Sequence, residues 1–211
     1  MSFRDRTEAG QALAEKLKEY AGRDDVRLFA LPRGGVVIGV EIAKVLGLPL
    51  DLIVTRKLGA PENEEYAIGS LAETGQVIWN TEELMAHGQK ALEPILERER
   101  KEAERRIQKY RGGRPLPDLS GKTAIIIDDG IATGLTIRAA IAAAKDRQAT
   151  KIVLAAPNGA RDTVKDLKKQ VDDVIVLEKP LFYGSVGGQY EVFPQVTDEE
   201  VIEYMKIYGP K

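Results

Sequence analysis

The sequence predicts an α/β protein built on a doubly wound, mainly parallel sheet, and two observations carry that prediction. Short apolar, β-branched runs recur at Val26 to Leu31, Leu50 to Thr55, Ala124 to Ile127, Lys151 to Pro157 and Asp173 to Leu177. Their near-continuous apolarity suits strands buried on both faces. Between most of them lie Gly-containing loops and stretches of helical periodicity. That order, βαβ…βαβαβ, gives parallel neighbours. At 211 residues the chain has the size of one domain with a substantial core.

Each element has a local reason. Asp5 and Glu8 stand at N-cap and N3 spacing before Ala9, Leu13, Leu17 and Tyr20, so the chain opens on an amphipathic helix covering the sheet. The first strand ends in Pro32-Arg33-Gly34-Gly35, and Val36 to Leu46 reads as a helix apolar nearly all round. The loop glycines fit neither the dinucleotide fingerprint nor the Walker A pattern. After a break at Gly47-Leu48-Pro49 comes the second strand, whose exit carries Arg56 and Lys57. Leu58 to Tyr66 is polar and contains Gly59 and Pro61, which reads as a long mobile loop of the kind that closes over ligands. Gln76 to Trp79 is a short returning strand. Thr81 to Arg111 is a charged helical region expected to break near Gly88 and Pro94. Glu97, Glu99, Glu102 and Glu104 interleave with its basic residues, the pattern of an exposed helix laced with i,i+4 ion pairs rather than a nucleic-acid face. The stretch 98–111 is a candidate subunit contact. Gly112 to Gly121 is a loop, Asn158-Gly159-Ala160 turns into a helix ending near Gln170, and Thr197 with Glu200 caps a final helix.

Composition removes several function classes. Lys and Arg total 31 against 33 acids, a net charge of −2, which gives no electrostatic case for bulk binding to nucleic acid or an anionic membrane. With no cysteine, thiolate nucleophiles and zinc–sulfur sites are excluded. The single histidine, His87, lies in a charge-rich stretch, so any bound metal is expected to be a hard cation held by oxygen. No apolar run approaches the roughly 20 residues of a membrane span. Met1 to Arg6 has no signal-peptide core. The sequence is read as that of a cytoplasmic protein.

The most informative stretch is Thr123 to Thr136. A buried strand, a Gly/Thr loop and a helix start together make a cup for an anion, because the helix offers free N–H groups and a partial positive charge. Asp128 and Asp129 on its rim are unusual beside a phosphate. They make sense if the ligand also carries hydroxyls or a divalent cation. Arg33, Arg56 and Lys57 leave the ends of two parallel strands and converge on the crevice where such sheets bind ligands.

The run Ile125-Ile126-Ile127-Asp128-Asp129-Gly130-Ile131-Ala132-Thr133-Gly134-Leu135-Thr136 resembles the phosphoribosyl-pyrophosphate (PRPP) motif of type I phosphoribosyltransferases. Leu31 to Gly35 resembles their pyrophosphate loop and Arg56 to Gly69 their flexible loop. Residues 178–211 stand where the family has its base-binding hood. The whole chain is similar to a bacterial or archaeal group of phosphoribosyltransferases not tied to one nucleobase. The resemblance implies a single domain over 1–211, with a flexible loop region at 57–79, a helical insertion at 80–114 and the hood at 178–211. It implies transfer of phosphoribosyl from PRPP to a nitrogen nucleophile of nucleobase type, with Mg2+ as cofactor and release of pyrophosphate, in nucleotide salvage.

Residue roles follow from the same resemblance. The amides of about Ile131 to Thr136, with Gly130, Ala132, Gly134 and Leu135 in the loop and the hydroxyls of Thr133 and Thr136, hold the 5′-phosphate. Asp128 and Asp129 take the ribose hydroxyls, and Mg2+ is held mainly by PRPP and water near them. Arg33, Gly34, Gly35, Arg56 and Lys57 take the pyrophosphate. Asp129 and Lys57 are the catalytic candidates, and Phe182 or Tyr183 the candidates for stacking on the acceptor. Hypoxanthine–guanine enzymes carry a third carboxylate at the fifth motif position, where this chain has Ala132, a pattern closer to adenine and orotate enzymes. A regulatory module that binds PRPP without turnover is the second reading, and the full cationic set favours catalysis over it. The partners expected are PRPP and a nucleobase-like acceptor, without nucleic acid or membrane, in a monomer or homo-oligomer.

Overall fold

The computed structural model describes residues 2–211, apart from the side chain of Glu65; Met1, read above with the N-terminus, lies outside them. Its centre is a five-stranded parallel sheet ordered β2-β1-β6-β7-β8. The strands are β1 (Val26–Ala30), β2 (Leu50–Leu52), β6 (Thr123–Ile127), β7 (Lys151–Asn158) and β8 (Asp173–Glu178). Alternation along them divides the core. Leu28, Ala30, Ile125, Ile127, Val153 and Ala155 face one layer, while Phe29, Ala124, Ile126, Ile152, Leu154 and Ala156 face the other. The first layer is covered by helices α1 (Arg6–Lys16), α2 (Gly34–Leu46) and α7 (Asp198–Tyr208), the second by α5 (Leu135–Asp146) and α6 (Arg161–Leu167). Helices on both faces explain why the strands are apolar without interruption. The predicted doubly wound class is what the chain adopts.

The chain leaves β1 toward β2 on one side and returns to β6 on the other. The topological switch therefore lies between β1 and β6, and Ala30 is registered against Ile127 at its upper end. The loops that carry Arg33 and Asp128 emerge there side by side, which is where open α/β sheets bind ligands.

The stretch expected as a long mobile loop is instead an antiparallel sheet of β3 (Thr55–Ala60), β4 (Asn63–Ala72) and β5 (Val77–Trp79). Leu58 and Ala60 on β3, with Ile68 and Leu71 on β4, are buried against Leu92 and Leu96. The acidic run after Pro61 hid this alternation in the sequence. Gly59 permits the tight pairing, since a Cβ there would stand 2.4 Å from the Glu64 carbonyl oxygen.

Helix α3 (Thr81–His87) is capped by the Asn80 side chain, which accepts from the Glu82 amide at 3.0 Å. A break at Gly88, with φ 76°, leads into α4 (Gln89–Arg111). Pro94 does not interrupt α4 as expected. It sits early in the helix and removes one amide donor, which the 23-residue helix and its packing on β3 tolerate. The end of α4 is clipped to the small sheet by a buried ion pair of Arg111 with Glu73, whose other oxygen accepts from the Val54 amide at 2.7 Å. Burial pushes the Glu73 carboxyl above its ordinary range, with Arg111 opposing the shift. The capping box of Thr197 and Glu200 opens α7 as the sequence indicated.

Candidate functional site

Two adjoining cavities open at the switch point. The first, of about 160 Å³, is enclosed by the loop from Gly130 to Gly134, by Thr136 and by Val186 from the C-terminal segment. The second, of about 250 Å³, is lined by Pro32, Arg33, Gly34, Arg56, Lys57 and Arg106. Asp128, Asp129 and Thr136 belong to both walls. One side is a neutral cup of backbone and hydroxyl groups, the other is strongly cationic, and a pair of carboxylates stands between them.

The cup is fixed from behind. The Ile131 amide donates to the Asn158 carbonyl at 3.0 Å, and Ala160 donates back to the Ile131 carbonyl at 2.8 Å. The Thr163 hydroxyl donates to the Ala132 carbonyl at 2.8 Å. The Ile131 amide, expected among the phosphate donors, is therefore spent on the fold, and its side chain is buried. The helix begins at Leu135 with Gly134 as its N-cap, so the unpaired amides of the first helical turn remain as donors into the cup. Leu135, expected among the phosphate-binding residues, is the first residue of the helix and lines neither cavity.

On the other side, the Pro32–Arg33 peptide is cis and Gly34 begins α2. A Cβ at Gly34 would overlap the Asp129 carboxylate, 1.8 Å from Oδ2. Gly35 does not line the cavity. It is packed on the end of β6, where a Cβ would stand 2.8 Å from the Ile127 carbonyl oxygen. The arginines expected to meet an anion are held by acids. Arg56 pairs with the buried Glu99 through Nε at 2.8 Å and a terminal nitrogen at 2.6 Å. Arg33 reaches Asp198 at 3.5 Å. Arg106 donates from Nε to Glu102 at 2.8 Å. Lys57 lines the same cavity.

The carboxylate pair differs within itself. The Asp128 carboxylate accepts from the Asp129 amide at 2.9 Å. Burial, then the neighbouring Asp129 charge, pushes the Asp128 carboxyl well above the ordinary carboxylate range. Burial also raises Asp129, but Arg6 opposes the shift. Arg6, itself buried, donates from Nε to Asp129 Oδ2 at 2.8 Å and from a terminal nitrogen to the Pro194 carbonyl at 2.7 Å. Its guanidinium lies 3.7 Å from the Phe193 ring centroid, and Phe193 stacks on Tyr190 at 5.0 Å. The Tyr190 hydroxyl donates to the Asp129 carbonyl at 2.5 Å.

The model of the phosphoribosyl transferase domain matches residues 5–190. The chain belongs to that family. Two curated proteins from Mycobacterium tuberculosis strains, MT0597 and Rv0571c, which carry the provisional name phosphoribosyl transferase, are each 40% identical over 205 residues. The match takes in 96% of this chain and 46% of each relative, so the chain spans about half the length of the curated relatives it matches. Among solved structures, TT1426 from Thermus thermophilus superposes over 100% of both chains with a TM-score of 0.81 and 35% identity. AQ2163 from Aquifex aeolicus shares the fold at a TM-score of 0.54 and 14% identity, over 86% of this chain and 76% of its own.

Arg33, Gly34, Arg56, Lys57, Asp128 and Asp129 converge on one cavity, and Gly130, Ala132, Thr133, Gly134 and Thr136 on the other, with Ile131 contributing its side-chain wall. The acceptor candidates separate. Phe182 is 92% exposed and touches neither cavity, whereas the Tyr183 hydroxyl donates to the buried Asn158 side chain at 2.6 Å, directly behind Gly130. Burial and the two aspartates push the Tyr183 phenol up, so it stays a neutral donor. Arg6, Arg106, Asn158, Tyr190 and Phe193 were not singled out from the sequence. A signal existed for the two arginines, since each occupies a helical face otherwise made of buried residues. No group of three or more His, Cys, Asp or Glu able to hold a metal occurs among the described residues, nor any helix long and apolar enough to cross a membrane.

Proposed function

We propose that the chain binds PRPP across the two cavities and, with magnesium, transfers the phosphoribosyl group to a nitrogen nucleophile of nucleobase type. The observation that carries this reading is the shared wall. A 5′-phosphate needs a cup of amides and hydroxyls, a pyrophosphate needs cations, and the ribose between them needs acceptors for its hydroxyls. The cup at 130–136, the cavity with Arg33, Arg56 and Lys57, and the intervening Asp128 and Asp129 supply these in that order.

In the reaction, the bond between the anomeric carbon and the pyrophosphate oxygen breaks as the acceptor nitrogen bonds to that carbon. Pyrophosphate leaves with the bonding pair, and the acceptor nitrogen passes its proton to the departing pyrophosphate or to water. The carbon passes through an oxocarbenium-like state, which the Asp129 carboxylate stabilises electrostatically. Arg33, Arg56 and Lys57 stabilise the charge that grows on the leaving group. The arginine partners Glu99 and Asp198 limit reorganisation by holding the guanidinium groups in place before the ligand arrives. Asp128 and Asp129 are hard oxygen donors, but two adjacent carboxylates do not make a cage, so magnesium would be held mostly by PRPP oxygens and water beside them. When bound, the ion supplies charge neutralisation at the pyrophosphate.

Ala132 supports an acceptor outside the hypoxanthine–guanine type, because its methyl group replaces the carboxylate that would contact a purine there. A panel of nucleobases assayed with PRPP and magnesium, reading pyrophosphate release, tests the reading. Turnover with at least one nitrogen heterocycle is expected. Tight PRPP binding without turnover on any of them would leave the regulatory module instead.

A further inference from the structure

We propose that Arg106, on helix α4, is a pyrophosphate-binding residue, so that the helical insertion forms the outer wall of the leaving-group cavity. The inference rests on the PRPP reading above and adds a residue to it. Glu99, Ala103, Arg106 and Tyr110 recur at helical spacing on one face of α4, and the other three are buried. An arginine on such a face carries a large desolvation cost unless something offsets it. Its side chain is only 11% exposed and lines the cavity that holds Arg33, Arg56 and Lys57. Arg33, Arg56 and Arg106 each keep one carboxylate partner, Asp198, Glu99 and Glu102, and the cavity brings these guanidinium groups together with Lys57.

The neighbouring residue supplies an internal comparison. Arg105 lies outward at 46% exposure and is fully engaged by carboxylates, with two bonds to Glu102 and one to Asp198. Arg106 donates a hydrogen bond from Nε to Glu102, and among the described residues no other group accepts from its guanidinium. The terminal nitrogens, the pair that grips phosphate oxygens in bidentate contacts, are thus uncommitted at the cavity. Glu102, buttressed by Arg105, fixes the Nε edge and leaves the opposite edge for the ligand. The sign of the cavity identifies the ligand as a multivalent anion, and its place next to Asp128 and Asp129 as the pyrophosphate end of PRPP.

The test measures inorganic pyrophosphate and ribose 5-phosphate separately by calorimetry in magnesium buffer, on the wild-type chain and on R106Q, R106K and R100Q. The exposed Arg100 serves as a charge-matched control on the same helix. Loss of a charged hydrogen-bond donor predicts that R106Q weakens pyrophosphate about tenfold or more. Ribose 5-phosphate should change less than about twofold, R106K should recover part of the loss, and R100Q should match wild type. Unchanged pyrophosphate affinity in R106Q would overturn the assignment of Arg106 alone. Equal weakening of both ligands would also overturn it, since it would mean a general distortion of the site. Binding of neither ligand by the wild-type chain would overturn the donor-site reading itself.

Discussion

Asp129 shows how much of the site is carried by residues outside its own motif. Its carboxylate is fixed by Arg6 from α1, its carbonyl by Tyr190 from the C-terminal segment, and Gly34 of α2 leaves room for it. Replacing Gly34 with Ala should drive the methyl into Oδ2, destabilising the chain by about 1–3 kcal/mol in urea titrations and weakening PRPP in parallel. Arg6→Ala should cost more, about 3 kcal/mol, because it leaves a buried carboxylate without its counter-charge. Arg6→Lys should recover only part, since an ammonium cannot bridge Asp129 and the Pro194 carbonyl while lying flat on Phe193. The sequence identified Asp129 through its motif, but the partners lie 123 and 61 residues away and carry no local pattern linking them.

At the scale of elements, α4 changes its meaning. Its interleaved charges form exposed pairs at i,i+3 rather than the expected i,i+4 spacing, Arg100 with Glu97 and Arg105 with Glu102, while the i,i+4 pair of Arg106 with Glu102 is part-buried. The same helix also sends Arg106 to the cavity and the buried Glu99 to Arg56, and ties α7 through Asp198, which receives Tyr110 at 2.5 Å and Arg105 and Lys109 each at 3.0 Å. Hydrogen bonds from Arg105 hold the Glu102 carboxyl down to about 2 against its ordinary 4.5, with burial opposing and Arg106 adding to the depression. At Asp198, burial acts upward but is outweighed by Tyr110, Lys109 and Arg105, which leave it below the usual range. A depressed folded-state value contributes stability that is complete above the unfolded value and is lost as pH falls toward the folded one. Denaturant titrations should therefore show stability falling from about pH 4.5 toward pH 2, with a shallower fall in Glu102→Gln. The helices and buried strands were legible because each carries its own periodicity, and the β3–β4 hairpin was not, because Gly59, Pro61 and the acids near them imitate a loop. Its stability comes from packing on Leu92 and Leu96 of a helix more than twenty residues away.

At the scale of the whole molecule, the parallel sheet places the loops that carry Arg33 and Asp128 at one switch point, and Arg56, Lys57 and Arg106 from the second sheet and α4 line the cationic side. The first half of this arrangement was readable from the order of strands and helices. The second was not, because nothing in the sequence says which face of α4 meets which strand. Arg33, Arg56, Lys57 and Arg106 line one cavity, so a multivalent anion that bridges them should stabilise the folded chain even though each arginine already has a carboxylate partner. Pyrophosphate at about one hundred times its dissociation constant is expected to raise the melting temperature on the order of 5 °C by mass action, with sulfate at equal ionic strength doing much less.

If the two cavities are halves of one PRPP site, a crystal structure with PRPP and magnesium will show a single ligand spanning both. The 5′-phosphate is expected in the cup of Gly130 to Thr136, the ribose hydroxyls on Asp128 and Asp129, and the pyrophosphate among Arg33, Arg56, Lys57 and Arg106. PRPP bound in the reverse sense, or away from the Asp128–Asp129 wall, would contradict this placement.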